Sequence, residues 1–311
     1  MTNPAATVLA VDVGGTSIKA SVLDDAGQPL RTDVRRTPVD EGPDAVVAAV
    51  RRTALDLTDG AVVAAAVVVP GSVDVATGTA TYSVNIGWHD VPLRDLVARD
   101  LGVPVAFGHD VGAAGLAERT LGAALGVTDS LVLVIGTGVA GVAVSGGALV
   151  QGATGLAGEI GHIPVHPGGE RCACGQLGCL ETYASAGALV RRYAARSGRD
   201  LAGADELLAI LDTDDVAGAV WSEAVEALSI ALTTYAMLFD PSVVVLGGGL
   251  ADAGSCLVDG VREGVASMLV WRSTPQIVLS PLGRRAGQLG AGLQAWQLAG
   301  SDGFVNWPEP A

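Results

Sequence analysis

Within the eighteen residues from His162 to Cys179 the chain offers one imidazole and three thiols, at His162, Cys172, Cys174 and Cys179. Four ligands of these types complete a tetrahedral zinc shell with no position left for water, so such a site holds structure and does no chemistry itself. Its binding energy would be local folding energy, in a long Gly- and Pro-rich loop that lacks a core of its own. Glu159 and Glu181 flank the ligands, and a metal clip would fix both carboxylates in space. The alternative is three buried thiols in a reducing compartment beside a core histidine.

Three glycine turns could meet a nucleotide. The first, Asp12-Val-Gly14-Gly15-Thr16-Ser-Ile-Lys19, lies between two β-type runs, Thr7 to Val13 and Ser17 to Leu23, and reads as a tight hairpin. Its glycines let backbone N–H groups approach an anion, Thr16 adds a hydroxyl, and Asp12 could hold Mg2+ through water. An ordinary Gly-Gly hairpin with an exposed acid reads equally well. The second turn, Gly136-Thr137-Gly138, again separates two β-type runs, 131–135 and 139–145. Gly136 to Gly141 also matches the dinucleotide fingerprint G-x-G-x-x-G, but that motif must open a helix, and Val139 to Val144 reads as a strand. The dinucleotide reading is therefore rejected, and an approximate internal repeat of strand, Gly-Thr turn and strand remains. The third turn, Gly247-Gly248-Gly249, follows the buried run Val243 to Leu246 and would let a flat group such as adenine or ribose lie on the backbone; tight helix–strand packing explains it as well.

The elements that must carry these residues follow from periodicity. Helices are expected over Pro43 to Leu57, Tyr183 to Ala195, Val216 to Phe239 and Gly287 to Leu298, with further strands at Arg31 to Arg36, Ala61 to Val69, Val103 to Phe107 and Gln276 to Leu279. Asp110 falls where the strand ending at Phe107 gives way to an Ala-rich helix, a place where open α/β folds bind ligands, although an Asp there is also a routine helix cap. Asn85, in the polar and aromatic loop Ser83 to Trp88, could read a hydroxyl or simply make a turn.

Composition narrows the class. With 18 basic and 33 acidic residues the net charge is −15, which argues against nucleic acid and anionic membrane as partners. Four cysteines, three of them in one cluster, are not a disulfide scaffold. No signal peptide and no bilayer-length apolar run is read, so a cytoplasmic location is expected.

Together, Asp12-x-Gly-Gly-Thr16-x-x-Lys19, the strand-end Asp110, Glu159-x-x-His162 and Cys172-x-Cys174-Gly-x-x-Gly-Cys179-x-Glu181 resemble the ROK family of sugar kinases and related repressors, over nearly the whole chain from Val8 to about Leu298. The resemblance implies an α/β protein of the actin-like ATPase (hexokinase/ribonuclease H-like) fold, two α/β domains around a cleft. A smaller domain would span residues 1–118, completed by the C-terminal helix at about 287–311, and a larger one residues 119–286 with the zinc clip. It implies ATP and Mg2+ as cofactors beside structural Zn2+ on His162, Cys172, Cys174 and Cys179. Sugar contacts would fall on Asn85, His109, Asp110, Glu159, His162 and Glu181. Phosphate contacts would fall on Asp12, Gly14, Gly15, Thr16, Lys19, Gly136, Thr137 and Gly138, and adenosine near Gly248. Asp110 would be the general base that takes the proton of a sugar hydroxyl, the 6-OH of glucose, as it attacks the γ-phosphate. A homodimer or homotetramer is the expected assembly.

Two positions depart from the family pattern, which usually has Asn just before the base and again two residues after it; here they are His109 and Gly112. Other acceptors (an amino sugar, an N-acetylhexosamine, fructose, a cyclitol) and a sugar-binding sensor without turnover therefore stay open. A repressor would need a DNA-binding head before the first strand, where about half a dozen residues stand, and the acidic charge speaks against it.

Overall fold

The structure is a computed structural model describing residues 6–58, 62–153 and 156–301. The chain divides after Gly122 into two compact units, and the segment from Arg285 onward belongs to the first. The division falls four residues beyond Glu118, because the helix through that position continues to Leu121.

In the first unit β1 (Thr7–Val13), β2 (Ser17–Leu23) and β3 (Pro29–Arg36) form an antiparallel meander. Helix α1 (Pro43–Leu57) leads to β4 (Val62–Val69), which lies parallel to β1; Ala61, expected to open this strand, lies outside the described residues. A small antiparallel sheet of β5 (Ser72–Asp74), β6 (Thr79–Tyr82) and β7 (His89–Val91) follows, then α2 (Leu93–Leu101), β8 (Val105–His109) and α3 (Asp110–Leu121). Strand β8 pairs parallel with β4, giving the order β3-β2-β1-β4-β8. The small sheet and α2 were not expected, since strands of three or four residues carry too little alternation to read.

The second unit repeats this plan. Strands β9 (Ser130–Ile135), β10 (Val139–Ser145) and β11 (Ala148–Leu149) are antiparallel neighbours. After α4 (Glu181–Ala184), α5 (Ala186–Ser197), α6 (Ala204–Ala209) and α7 (Asp215–Phe239) come β12 (Val243–Gly247), α8 (Ser255–Met268) and β13 (Gln276–Leu279). The order β11-β10-β9-β12-β13, with β12 and β13 parallel to β9, matches the first sheet strand for strand. The repeat read from two Gly-Thr turns is thus a repeat of whole sheets, and β10, antiparallel to β9, occupies the place where a dinucleotide fold would need a helix.

The helix expected from Tyr183 to Ala195 is two helices. Ser185 is extended (φ −72°, ψ 154°) and its Oγ accepts the Ala188 N–H at 3.1 Å, so it caps α5 and ends α4. By length and mean hydropathy α7 alone among the described helices could cross a bilayer, contrary to expectation, but half of its most apolar window is buried. Ala224, Leu228, Ala231, Leu232 and Tyr235 face the second unit's core with Leu133, Ile135 and Leu246, the packing of a core helix.

Alternation along β1 and β4 explains where α9 (Ala286–Leu298) sits. Leu9, Val11, Ala65 and Val67 face the core shared with α1 and α2. Val8, Ala10, Ala64, Ala66 and Val68 face the opposite layer, with Ala113 of α3 and Ala291, Ala295 and Trp296 of α9. Alanines on both sides of that layer let helix backbones approach closely.

Candidate active site

In the first unit, Asp12 ends β1 opposite Lys19 of β2. The turn between them is closed by Gly14 N–H donating to Ser17 O (2.9 Å), and Thr37 ties it from the side, its hydroxyl donating to Gly14 O (2.6 Å) and its N–H to Thr16 O (3.0 Å). Gly14 and Gly15 are absent from the left-handed region. What Gly14 provides is closeness, since a Cβ there would lie 3.2 Å from Ser17 O. A Cβ on Gly15 would lie 3.7 Å from Asn85 Cβ, so the candidate hydroxyl reader stands beside the candidate phosphate turn. Ile86 and Trp88, both buried, anchor the loop and leave Asn85 exposed between them and the strand.

Asp110 is the first residue of α3, and its Oδ1 accepts the Val111 N–H at 2.7 Å. The cap itself is His109, whose Nδ1 lies 3.2 Å from the same N–H and 3.4 Å from Asp110 Oδ1. An imidazole therefore stands where the family pattern has an amide, with its Nδ1 held at the start of α3. Burial, then the nearby Asp110 charge, pushes the Asp12 carboxyl up to about 7 against the pull of Lys19. Two carboxylates that repel each other in this way carry excess negative charge that a cation would relieve.

The second unit gathers the remaining residues. Gly136 N–H donates to Gly138 O (2.9 Å), and Gly136 O accepts Ala186 N–H of α5 (2.9 Å), which seats that helix against the turn. Glu181 Oε2 accepts the Val139 N–H (3.0 Å) and would lie 2.5 Å from a Cβ on Gly138, so only glycine lets this carboxylate rest on the turn. Gly248 (φ +83°) presses on the end of β9, where a Cβ would come within 2.4 Å of Ile135 O. The candidate adenosine turn and the second phosphate turn are therefore neighbours.

Ligand atoms of His162, Cys172, Cys174 and Cys179 all lie within 4.8 Å of one another. Cys174 and Cys179 sulfurs are 3.7 Å apart and Cys172 Sγ is 3.8 Å from His162 Nδ1. Both match the roughly 3.6–3.8 Å edge of a tetrahedron with Zn–S of about 2.3 Å. Burial and the adjacent thiols push Cys179 up to about 12, and burial pushes Cys172 up, so these groups ionise readily only around a cation. His162 Nε2 faces Glu159 Oε2 at 3.8 Å, so one imidazole stands between the ligand cluster and a candidate sugar contact.

Side chains that sequence reasoning missed hold this loop. Arg192 of α5 is 3% exposed; it donates to Glu170 Oε1 (2.8 Å) and Glu223, and lies 4.6 Å over the Tyr183 ring. Tyr183 Oη accepts the Glu170 N–H (2.9 Å). The Glu223 hydrogen bond to Arg196, then Arg192, brings its carboxyl down to about 2. Gly158 and Gly161 were missed as well: a Cβ on either would strike the β10 backbone, at 2.1 Å from Gly141 O and 1.9 Å from Val139 O. Only the spacing of these glycines around Glu159 could have signalled it.

The paired sheets and the residues collected at their strand ends define the actin-like ATPase fold shared with hexokinases. The model of the ROK family matches residues 8–297, and the chain belongs to that family. It is 34% identical over 306 residues to a glucokinase of Thermotoga maritima, covering 93% of this chain and 96% of that protein. A glucokinase of Streptomyces coelicolor is 34% identical over 304 residues, with 91% and 95% covered. A solved ROK family glucokinase from Streptomyces griseus, in complex with glucose and AMPPNP, matches with a TM-score of 0.83 at 32% identity, over 94% of this chain and 100% of that one.

Proposed function

We propose that this protein is an ATP-dependent glucose kinase. The observation that carries the reading is Asp110, fixed at the strand end of β8 by the Val111 N–H, in the unit that also holds Asp12, the Gly14–Thr16 turn and Asn85. Asp110 takes the proton of the sugar 6-hydroxyl, the new O–P bond forms on the γ-phosphorus, and the bond to the ADP oxygen breaks. Backbone N–H groups of the Gly14–Thr16 and Gly136–Gly138 turns, with Lys19, hold phosphate oxygens, and the backbone at Gly248 carries the adenosine. Asp12 fits Mg2+ held through water, because its carboxyl is driven up by burial and by Asp110. When bound, the ion neutralises charge on the nucleotide phosphates.

Asn85, Glu159, His162 and Glu181 bind ring hydroxyls. His162, Cys172, Cys174 and Cys179 would hold zinc, and so held, His162 would steady Glu159, which faces its Nε2, while Cys179 would steady Glu181 two residues on. His109 favours a second reading, in which the acceptor is another hexose derivative, because its Nδ1 lies at the Val111 N–H and the remaining ring nitrogen cannot offer a sugar both the donor and the acceptor of an amide. We place the enzyme in the cytoplasm as a homodimer or homotetramer. Leu238, Val270 and Trp271, each at least 71% exposed on neighbouring segments of the second unit, support association.

ADP release with Mg-ATP across a panel of hexoses tests the reading. Saturable turnover is expected on glucose, and Asp110→Asn should remove about 10²–10⁴-fold of it. Silence on every sugar from folded, zinc-loaded protein would overturn it.

A further inference from the structure

We infer that Gly287 of α9 is a positioning residue for Asp12, and that the C-terminal helix is the wall against which this carboxylate rests. The inference rests on the assignment of Asp12 to the phosphate and Mg2+ side of the proposed site. A Cβ on Gly287 would lie 2.9 Å from Asp12 Oδ2, 3.2 Å from Cγ and 3.4 Å from Oδ1, pressing on the whole carboxyl group. The helix has no room to retreat. One turn further on, a Cβ on Gly290 would come within 1.9 Å of Ala113 O in the first turn of α3, and the Gln294 amide lies 3.4 Å from where a Cβ on Gly108 would sit.

Residues 287, 290 and 294 share one face of a helix. That face therefore touches the strand end bearing Asp12, the helix that begins with Asp110, and the strand that ends at His109. The contact at Gly290 is backbone against backbone, and the alanines layered behind this face, among them Ala10, Ala64, Ala66 and Ala291, are fully buried. The three atoms nearest a methyl at 287 all belong to the Asp12 carboxyl group, so this side chain is the first that must yield. Gly287 is the second residue of α9, where the helix itself has no need of glycine, so the glycine serves Asp12.

This gives Gly287→Ala two effects of opposite sign. Thermal stability should be unchanged or raised by a few degrees, as glycine-to-alanine exchanges in helices do. The kcat should fall about 10–100-fold, the penalty for roughly an ångström of misplacement, with the KM for sugar within about twofold. Calorimetry should show the affinity for Mg2+ with AMPPNP weakened about tenfold, a loss that a purely structural glycine would not produce. Gly218→Ala in α7, where a Cβ meets Leu211 O at an ordinary 3.5 Å, is the control and should alter neither kcat nor that affinity. A Gly287→Ala enzyme with kcat and Mg-AMPPNP affinity both within twofold of wild type would overturn the inference. So would a fall in kcat that tracks a drop in melting temperature. If wild type phosphorylates no sugar, the kinase reading fails alone and Mg-AMPPNP affinity decides this one; a wild-type protein that binds no Mg-AMPPNP overturns both.

Discussion

The two Gly-Thr hairpins have the same local plan and different equipment. In the first unit the turn carries its own charges, Asp12 and Lys19, facing each other across adjacent strands, and Thr37 secures it from the chain just beyond the neighbouring strand. In the second the turn has no ionisable residue. Its carboxylate comes from Glu181, 42 residues beyond Val139, and its brace from the N-terminus of α5. Under the proposed function both glycine hairpins bring backbone N–H groups to phosphate, and the carboxylate beside each sets what else is bound. Asp12, crowded by Asp110 and driven up to about 7, is suited to a cation. Glu181, laid on Gly138 next to the clip, is suited to hydroxyl groups.

Exchanging the carboxylates should break this contrast most sharply. Asp12→Asn is expected to lower kcat about 10²–10³-fold and to weaken Mg-nucleotide binding, with sugar affinity by calorimetry nearly unchanged. Glu181→Gln should act in the opposite sense, weakening sugar binding about 10–100-fold while Mg-AMPPNP binds as before. Equal losses of both ligands in both variants would erase the distinction.

Removing zinc, with Mg2+ kept in excess of the chelator, should affect only the second hairpin. Chelation at neutral pH is expected to lower the kcat/KM for sugar about 10–100-fold and the melting temperature together, restored by added zinc. An active, equally stable metal-free protein would reduce the clip to a set of thiols. Gly138→Ala is a smaller perturbation of the same carboxylate, and about tenfold in sugar affinity is expected from the 2.5 Å encounter with Glu181 Oε2.

The smallest effect separates the hairpins by pH. Burial, then Asp110, pushes the Asp12 carboxyl up to about 7 from 3.8, so between those values the folded state keeps a proton that the unfolded chain has released. The stability this group contributes is greatest below pH 4 or so and falls as pH rises towards about 7, by a few kcal/mol at most. Urea midpoints of wild type and Asp12→Asn, compared across that range, should converge at low pH and separate in favour of Asn near neutrality. A constant difference would mean that Asp12 is not driven up.

Local signals sufficed wherever residue type and spacing carry the physics. Four ligands within eighteen residues announced the clip, since metal geometry constrains side-chain chemistry more than fold. Gly-Thr turns between β-branched runs announced both hairpins, and a β-rich run after Gly138 ruled out a dinucleotide site before the antiparallel pairing was seen. The long helices followed from their apolar spacing. What stayed hidden lacked a period or lay far along the chain. Ser185 inside a helix-forming run looks like any tolerated serine, and only its capping bond to Ala188 and the Ala186 bond to Gly136 make it a break. The three short strands after Pro70 were unreadable because so few residues show no alternation.

By itself, then, the sequence determined the strand-turn-strand units, the grouping of one histidine and three cysteines in the clip and the strand-end placement of Asp110, because each follows from residues within one short stretch. Tertiary structure alone decided which carboxylate rests on which turn, that Arg192 is buried under the clip, and that Gly287 faces Asp12 from the far end of the chain. These depend on the close approach of segments up to some 270 residues apart, and that is set by packing between layers, to which no local pattern is tied.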